Sequence, residues 1–441
     1  MQCIPVDKKP PLLKLLLLSL FISIGGFAYG QVTAPTDSLK ADSLRTLKAK
    51  RADNINKQYD FYDLLRDIFH PKKQADTTHK RAVSIVPNIS ANPTVGFQLG
   101  IKAVAGKKLG DDPNTLLSVA ATSISYTTKG IFYFYFNHNI FTPGNKWNFQ
   151  GNIVASRSIT PDHGLGIGRV VEGGSEEDQI LANPEHKGYS IHSQYYNLRE
   201  KAYKQVAKNL FLGAGLSFEV RRKMNQKDTV NNATPMSVYN NRYGFPQDHY
   251  AANGFLFNVQ YTTRDNPNRA YQGIYFDAGF RTNQTWIGST KNSVQFTTDF
   301  RKYFSLSDAY PETVLAFWNW GSYLISGAIP YLELPGTNRD GNFRSGRGYV
   351  TQYFKGKQFN DTEAEFRFPI TANKFISGVA FASMQTANDD QGTKLFQVFQ
   401  PAYGGGLRVL FNKATRTNLC LDYAFGKFGN KGFFLNLNEA F

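Results

Sequence analysis

From residue 82 onward, apolar side chains recur at every second position. Val294, Phe296, Phe300 and Phe304 fall on one side of their segment, and Gln295, Thr297, Asp299 and Arg301 fall on the other. Phe276 and Phe280 alternate in the same way with Asp277 and Arg281. Leu419, Leu421, Tyr423 and Phe425 alternate with Asn418, Cys420 and Asp422. Val95, Phe97, Leu99 and Ile101 alternate with Gly96, Gln98, Gly100 and Lys102, and near the end Phe433, Leu435 and Leu437 alternate with Phe434, Asn436 and Asn438. Side chains alternate across a strand, so each of these strands separates an apolar medium from an aqueous one.

Composition narrows the reading. The chain carries 36 Phe, 24 Tyr and 38 Gly, yet its mean hydropathy is −0.39. A helical membrane protein needs several apolar runs of about 20 residues, which a chain this polar lacks. So many aromatic residues argue against disorder, and Cys3 and Cys420 are too few for a disulfide scaffold. A transmembrane barrel has this composition, because alternate residues face lipid and water.

Sixteen alternating segments begin near residues 82, 94, 115, 129, 145, 187, 206, 254, 271, 291, 312, 357, 374, 403, 416 and 433. That leaves about 22 residues per segment, which suits a tilted strand of about ten residues plus its connection. The longest connections, 159–186, 224–253 and 329–356, follow the fifth, seventh and eleventh strands. Those after even strands are short. Long outer loops with short periplasmic turns are the mark of an outer-membrane barrel. The expected fold is therefore all-β: a 16-stranded antiparallel transmembrane β-barrel over 82–441, preceded by a short polar and helical segment. A soluble β-sandwich would require neither an even strand count nor asymmetric loops.

Residues 1–30 read as a signal peptide: Lys8, Lys9 and Lys14, then an apolar stretch from Leu15 to Phe27, then Ala28-Tyr29-Gly30. Residues 31–81 read as a periplasmic linker. Within it Phe61, Leu64, Leu65, Ile68 and Phe69 form one apolar face, predicting a short amphipathic helix at about 59–70 that ends before Pro71. The helix either packs on the body or plugs it.

No enzymatic chemistry is expected. The seven histidines lack zinc-ligand spacing and have no cysteine pair. The glycines at 164, 166 and 168 lack a strand–helix setting for a nucleotide, and no nucleophile elbow occurs. Neither a metal nor a cofactor is expected. The 50 Lys and Arg against 34 Asp and Glu are dispersed, giving no case for nucleic acid. Asp361, Glu363, Glu365 and Arg367 share one side of a strand and read as a lumenal charge ladder.

Ser345-Gly346-Arg347-Gly348-Tyr349, followed by the strand ending Ala364-Glu365-Phe366-Arg367-Phe368-Pro369, resembles the bacterial surface antigen superfamily. That superfamily includes BamA- and TamA-like assembly barrels and two-partner-secretion transporters. Thr263-Arg264-Asp265-Asn266-Pro267 with Gly273, Asp422-Tyr423-Ala424-Phe425-Gly426, and the terminal Leu437-Asn438-Glu439-Ala440-Phe441 are similar to further family segments. The resemblance spans about 82–441.

It implies a sixth-loop tip of Gly346, Arg347, Gly348 and Tyr349 folded into the lumen, with Arg347 against Glu365 and Glu363. It also implies that Phe441 belongs to a C-terminal assembly signal. Two departures stand out. The inward aspartate usual on the next strand is here Ser383, and residues 31–81 are too few for one polypeptide-transport-associated (POTRA) domain, so the chain resembles a barrel-only member.

The implied function is assembly, insertion or translocation of outer-membrane proteins. The alternatives are a passive pore or polypeptide secretion channel, and a structural scaffold subunit. The implied surroundings are outer-membrane lipid and lipopolysaccharide. The implied partners are unfolded outer-membrane proteins or other subunits of an assembly machinery. A weak seam is expected where the short last strand meets a first strand followed by Pro87 and Pro93, which cannot donate to a ladder.

Overall fold

A computed structural model describes residues 57–69, 83–92, 96–112, 114–168, 174–226 and 233–441. All of them belong to one compact unit, Asp53–Phe441. The expected signal peptide at 1–30, and the linker segments 31–56 and 70–81, lie outside the described residues.

Seventeen antiparallel strands form one sheet. The first six are β1 (Val83–Asn92), β2 (Gly96–Lys108), β3 (Leu117–Thr127), β4 (Phe132–Phe141), β5 (Trp147–Asp162) and β6 (Tyr189–Ala207). Then come β7 (Leu210–Gln226), β8 (Tyr250–Ala251), β9 (Gly254–Thr262), β10 (Gly273–Asn283), β11 (Ser293–Ser305) and β12 (Val314–Gly327). The last five are β13 (Gln358–Pro369), β14 (Ile376–Ala387), β15 (Gln400–Asn412), β16 (Thr417–Gly426) and β17 (Lys431–Leu437). Each long strand pairs with the next, β7 passing directly to β9, with register shifts between β6 and β7, β11 and β12, and β15 and β16. β8 is a two-residue bridge on β7. Without it, sixteen long strands remain.

The alternation read from sequence sorts the two faces. Phe97, Leu99, Ile101, Ile124, Phe280, Phe300, Phe304, Tyr403 and Phe425 are exposed on the outside. Their neighbours Ser125, Asp277, Arg281, Arg301, Arg408 and Asp422 are buried within. This is the pattern of strands with lipid on one side and a polar lumen on the other. No helix among the described residues is long and apolar enough to cross a membrane.

The end with long loops is capped by packed structure. Helices α2 (Glu176–Ala182) and α3 (Pro235–Tyr243) start with capping boxes at Ser175 and Thr234, each cap hydroxyl accepting an N–H three residues on. Their apolar residues, with Leu165, Ile191, Tyr250 and residues 329–334, make a buried cluster. The end with short turns is crossed as well. The turn between β9 and β10 reaches the β15–β16 turn, where Asn268 donates to the Thr415 carbonyl at 3.0 Å and Asp265 pairs with Arg416 at 2.5 Å. Helix α1 (Phe61–Phe69) sits at the same end, with Phe61 stacked on Phe411 at 4.8 Å and Asp63 on Lys413 at 2.6 Å.

β1 and β17 are the two ends of the sheet. Among the described residues, β1 pairs only with β2, and β17 only with β16. The edges come close, since Leu437 joins Val86 and Val104 in one cluster, but no ladder joins them among the described residues. Pro87 lies inside β1, opposite Ile101, rather than after it. A free edge tolerates a residue with no N–H to donate.

Candidate functional site: an arginine bridge across the lumen

The connection between β12 and β13 folds inward and returns on itself. Thr337 and Phe354 face each other, the Thr337 N–H donating to the Phe354 carbonyl at 2.9 Å, and Gly336 bridges Lys355. Asp340 then shapes the tip. Its carboxylate accepts the N–H groups of Asn342, Arg344 and Ser345 at 3.0, 2.6 and 2.7 Å. Gly346 and Gly348 have φ of 75° and 104°, a region that favours glycine. A Cβ on Gly348 would also lie 2.9 Å from Ala402. The backbone can therefore press against the wall here, and the Gly346 N–H donates to Asp361 at 3.0 Å.

This tip delivers Arg347, which is 5% exposed, into a ring of three carboxylates. The guanidinium bonds Glu363 and Glu365 on β13 and Asp422 on β16 at 2.9 Å. Its face lies 3.6 Å from the centre of the Phe381 ring on β14. Phe381 and the buried Ser383 line up with Glu365 and Glu363 in the ladder, so β14 supplies an aromatic floor and no charge. The carboxylate absent at Ser383 is supplied two strands further on by Asp422. In the sequence Asp422 belongs to a strand motif that carries no link to the arginine.

Tyr349 is buried beside the bridge. Its hydroxyl donates to the Pro401 carbonyl at 2.6 Å and accepts the Lys427 N–H at 3.0 Å, fixing the tip to β15 and to the β16–β17 turn.

The web continues toward the short-turn end. Asp422 bonds Arg408 at 2.5 Å, and Arg408 bonds Glu439 at 2.6 Å. Glu439 also accepts from Asn418 at 2.8 Å. On the other side Glu365 holds Arg367 at 2.6 Å, whose guanidinium donates to the Phe441 main-chain oxygen at 2.9 Å. Arg344 of the loop donates to the carbonyls of Leu437 at 3.0 Å and of Glu439.

Phe441 therefore does not extend β17 along the lipid face. Asn438 adopts φ 69° and turns the chain inward. Phe441 is buried against Trp318, ring centres 5.2 Å apart, and Tyr303 at 6.2 Å.

The outer cap holds an aromatic cluster of its own. His163 lies 4.5 Å from the Tyr353 ring, and its Nδ1 is 3.0 Å from the His186 carbonyl, so Nδ1 carries a proton. Burial holds His163 below the ordinary histidine range, with the Lys355 charge adding to it. The ring is therefore neutral in the fold. Its contribution is complete above the unfolded value of about 6.5 and is lost as pH falls toward the folded value. Protection of the amides at 163–168 and 349–354, taken relative to their intrinsic exchange rates, is expected to fall between pH 7.5 and 5.5, and His163→Phe to flatten that dependence. An unchanged profile in the variant would refute the assignment.

No protein-family model and no curated protein matches this chain. Solved structures do. BamA from Haemophilus ducreyi lacking POTRA domains 1–3 superposes with TM-score 0.50 and 14% identity, over 81% of this chain and 69% of that one. CdiB from Escherichia coli superposes with TM-score 0.51 and 8% identity, over 80% of this chain and 61% of that one. The chain shares their fold. An apolar outer face around a polar lumen is the construction of a barrel that spans a bilayer. The present chain spans about three fifths of the CdiB length.

Proposed function

We propose that this barrel assembles or translocates other outer-membrane proteins, using the free edges of β1 and β17 as a lateral gate. The observation that carries this reading is the seam. Ten-residue β1 and seven-residue β17 each leave one edge without ladder partners among the described residues. An unpaired backbone group facing lipid costs several kcal/mol, so such an edge favours an incoming strand. Strand addition then templates a nascent barrel with no fuel and no catalytic group. The similarity in fold to BamA and CdiB supports the same reading.

The passive-pore alternative fits less well, because linked elements cross both ends of the lumen. Depleting the protein is expected to lower the amounts of several unrelated outer-membrane barrels together, measured by quantitative proteomics. Unchanged levels would overturn the assembly role. Steady, high conductance of the purified protein in planar bilayers would favour the pore.

A further inference from the structure

Between the two caps lies a chamber of about 650 Å³, a volume typical of small-molecule sites. Inward side chains of β2–β6 and β9–β12 line it, together with the loop tip and the tail. Eight lysines and arginines face it against four carboxylates, Asp277, Asp299, Glu333 and Glu439. Those four are already engaged. Asp299 grips Arg301 through two bonds of 2.7 and 2.6 Å. Asp277 accepts from Tyr203, Asn258 and Gln260 and meets Lys201 only at 3.8 Å. Glu333 holds Arg221 and Arg339, and Glu439 holds Arg408.

Arg344 is held by the main-chain carbonyls of Leu437 and Glu439, and three further cations have no carboxylate within ion-pair distance among the described residues. Arg199 on β6 has a buried Nε without any hydrogen-bond partner. Arg264, in the turn after β9, is 9% exposed; its Nε is likewise unpartnered, and its guanidinium lies over the Tyr275 ring at 4.0 Å. Lys102 on β2 reaches only the neutral Asn436, at 3.5 Å. A buried charge without a counter-charge is strongly unfavourable. Arginine presents its donors in a fork that fits an oxyanion.

We infer that the chamber binds a phosphate-bearing anion, held by Arg199, Arg264 and Lys102 from three walls. One carboxylate could not offset three charges, whereas a group with two phosphates can. The phosphate comes either from a free solute or from a lipid headgroup.

Calorimetric titration of the full chain in neutral detergent with sodium pyrophosphate tests the free source. Saturable binding is expected at one site, weakened at least about tenfold in Arg199→Gln/Arg264→Gln and unchanged in Lys208→Gln at an exposed turn. Micelles containing cardiolipin, whose headgroup carries two phosphates, compared with phosphatidylcholine alone, test the headgroup source through thermal protection that the same double variant loses. A folding readout separates binding from structure. In phosphate-free buffer, Arg199→Gln alone should unfold at or above the wild-type temperature, because it removes a buried charge that no carboxylate contacts directly, and it should gain less from pyrophosphate. The inference fails if neither probe binds at millimolar concentration, if the double variant binds as well as wild type, or if Arg199→Gln destabilises the protein equally with and without pyrophosphate.

Discussion

Arg347→Ala is expected to destabilise the barrel by about 3–5 kcal/mol, the usual cost of removing one partner from a buried charge cluster. The loss is large because three carboxylates converge on this one guanidinium, and Glu363, Glu365 and Asp422 would be left facing one another in a site from which water is excluded. Equilibrium urea unfolding in detergent micelles measures the change. Adding Glu363→Gln should recover part of it, since that substitution removes one of the repelling charges. A cycle over the two positions should therefore show coupling well beyond additivity. Wild-type stability in Arg347→Ala would mean that the loop does not brace the wall in solution.

Phe441→Ala should cost a comparable amount, about 3–5 kcal/mol, as for other buried phenylalanines. Its ring fills the space beside Trp318 and Tyr303, and the backbone around it is gripped by Arg367 and Arg344. Two readouts distinguish this placement from one on the lipid face. Trp318 emission should shift to the red as water enters the vacated space, and amide exchange in 437–441 should rise. If Phe441 faced lipid, neither would change.

Much of the architecture was written in the period-two pattern. A two-sided strand allows only one assignment of faces, so strand starts, loop asymmetry and the shared side of Asp361, Glu363, Glu365 and Arg367 could all be read directly. What the pattern could not convey was depth in space. Asp422 lies 75 residues from Arg347, and nothing local links the two. They meet because β13 and β16 stand three places apart in a curved wall and the loop tip reaches across Phe381. The tail was silent for a different reason. Alternation through Asn438 gives no sign of where the chain leaves the sheet, and a single residue in the left-handed region turns it inward. Asparagine is one of the few residues other than glycine that adopts this conformation readily, and that was the only local cue. The cross-bracing of the two mouths was equally silent, because Asn268 and Thr415 lie far apart in sequence.

The arginine–carboxylate web has a mechanical consequence. Its links run from the loop tip through Arg347, Asp422 and Arg408 to Glu439, and so from the cell-surface cap to the residues just past β17. In the proposed gate, a pull on the surface loop would be delivered to the strand that borders the seam, and a strand docking there would pull on the loop in return. The barrel behaves less like a pipe than like a drawstring bag, in which one cord serves both the opening and the lining.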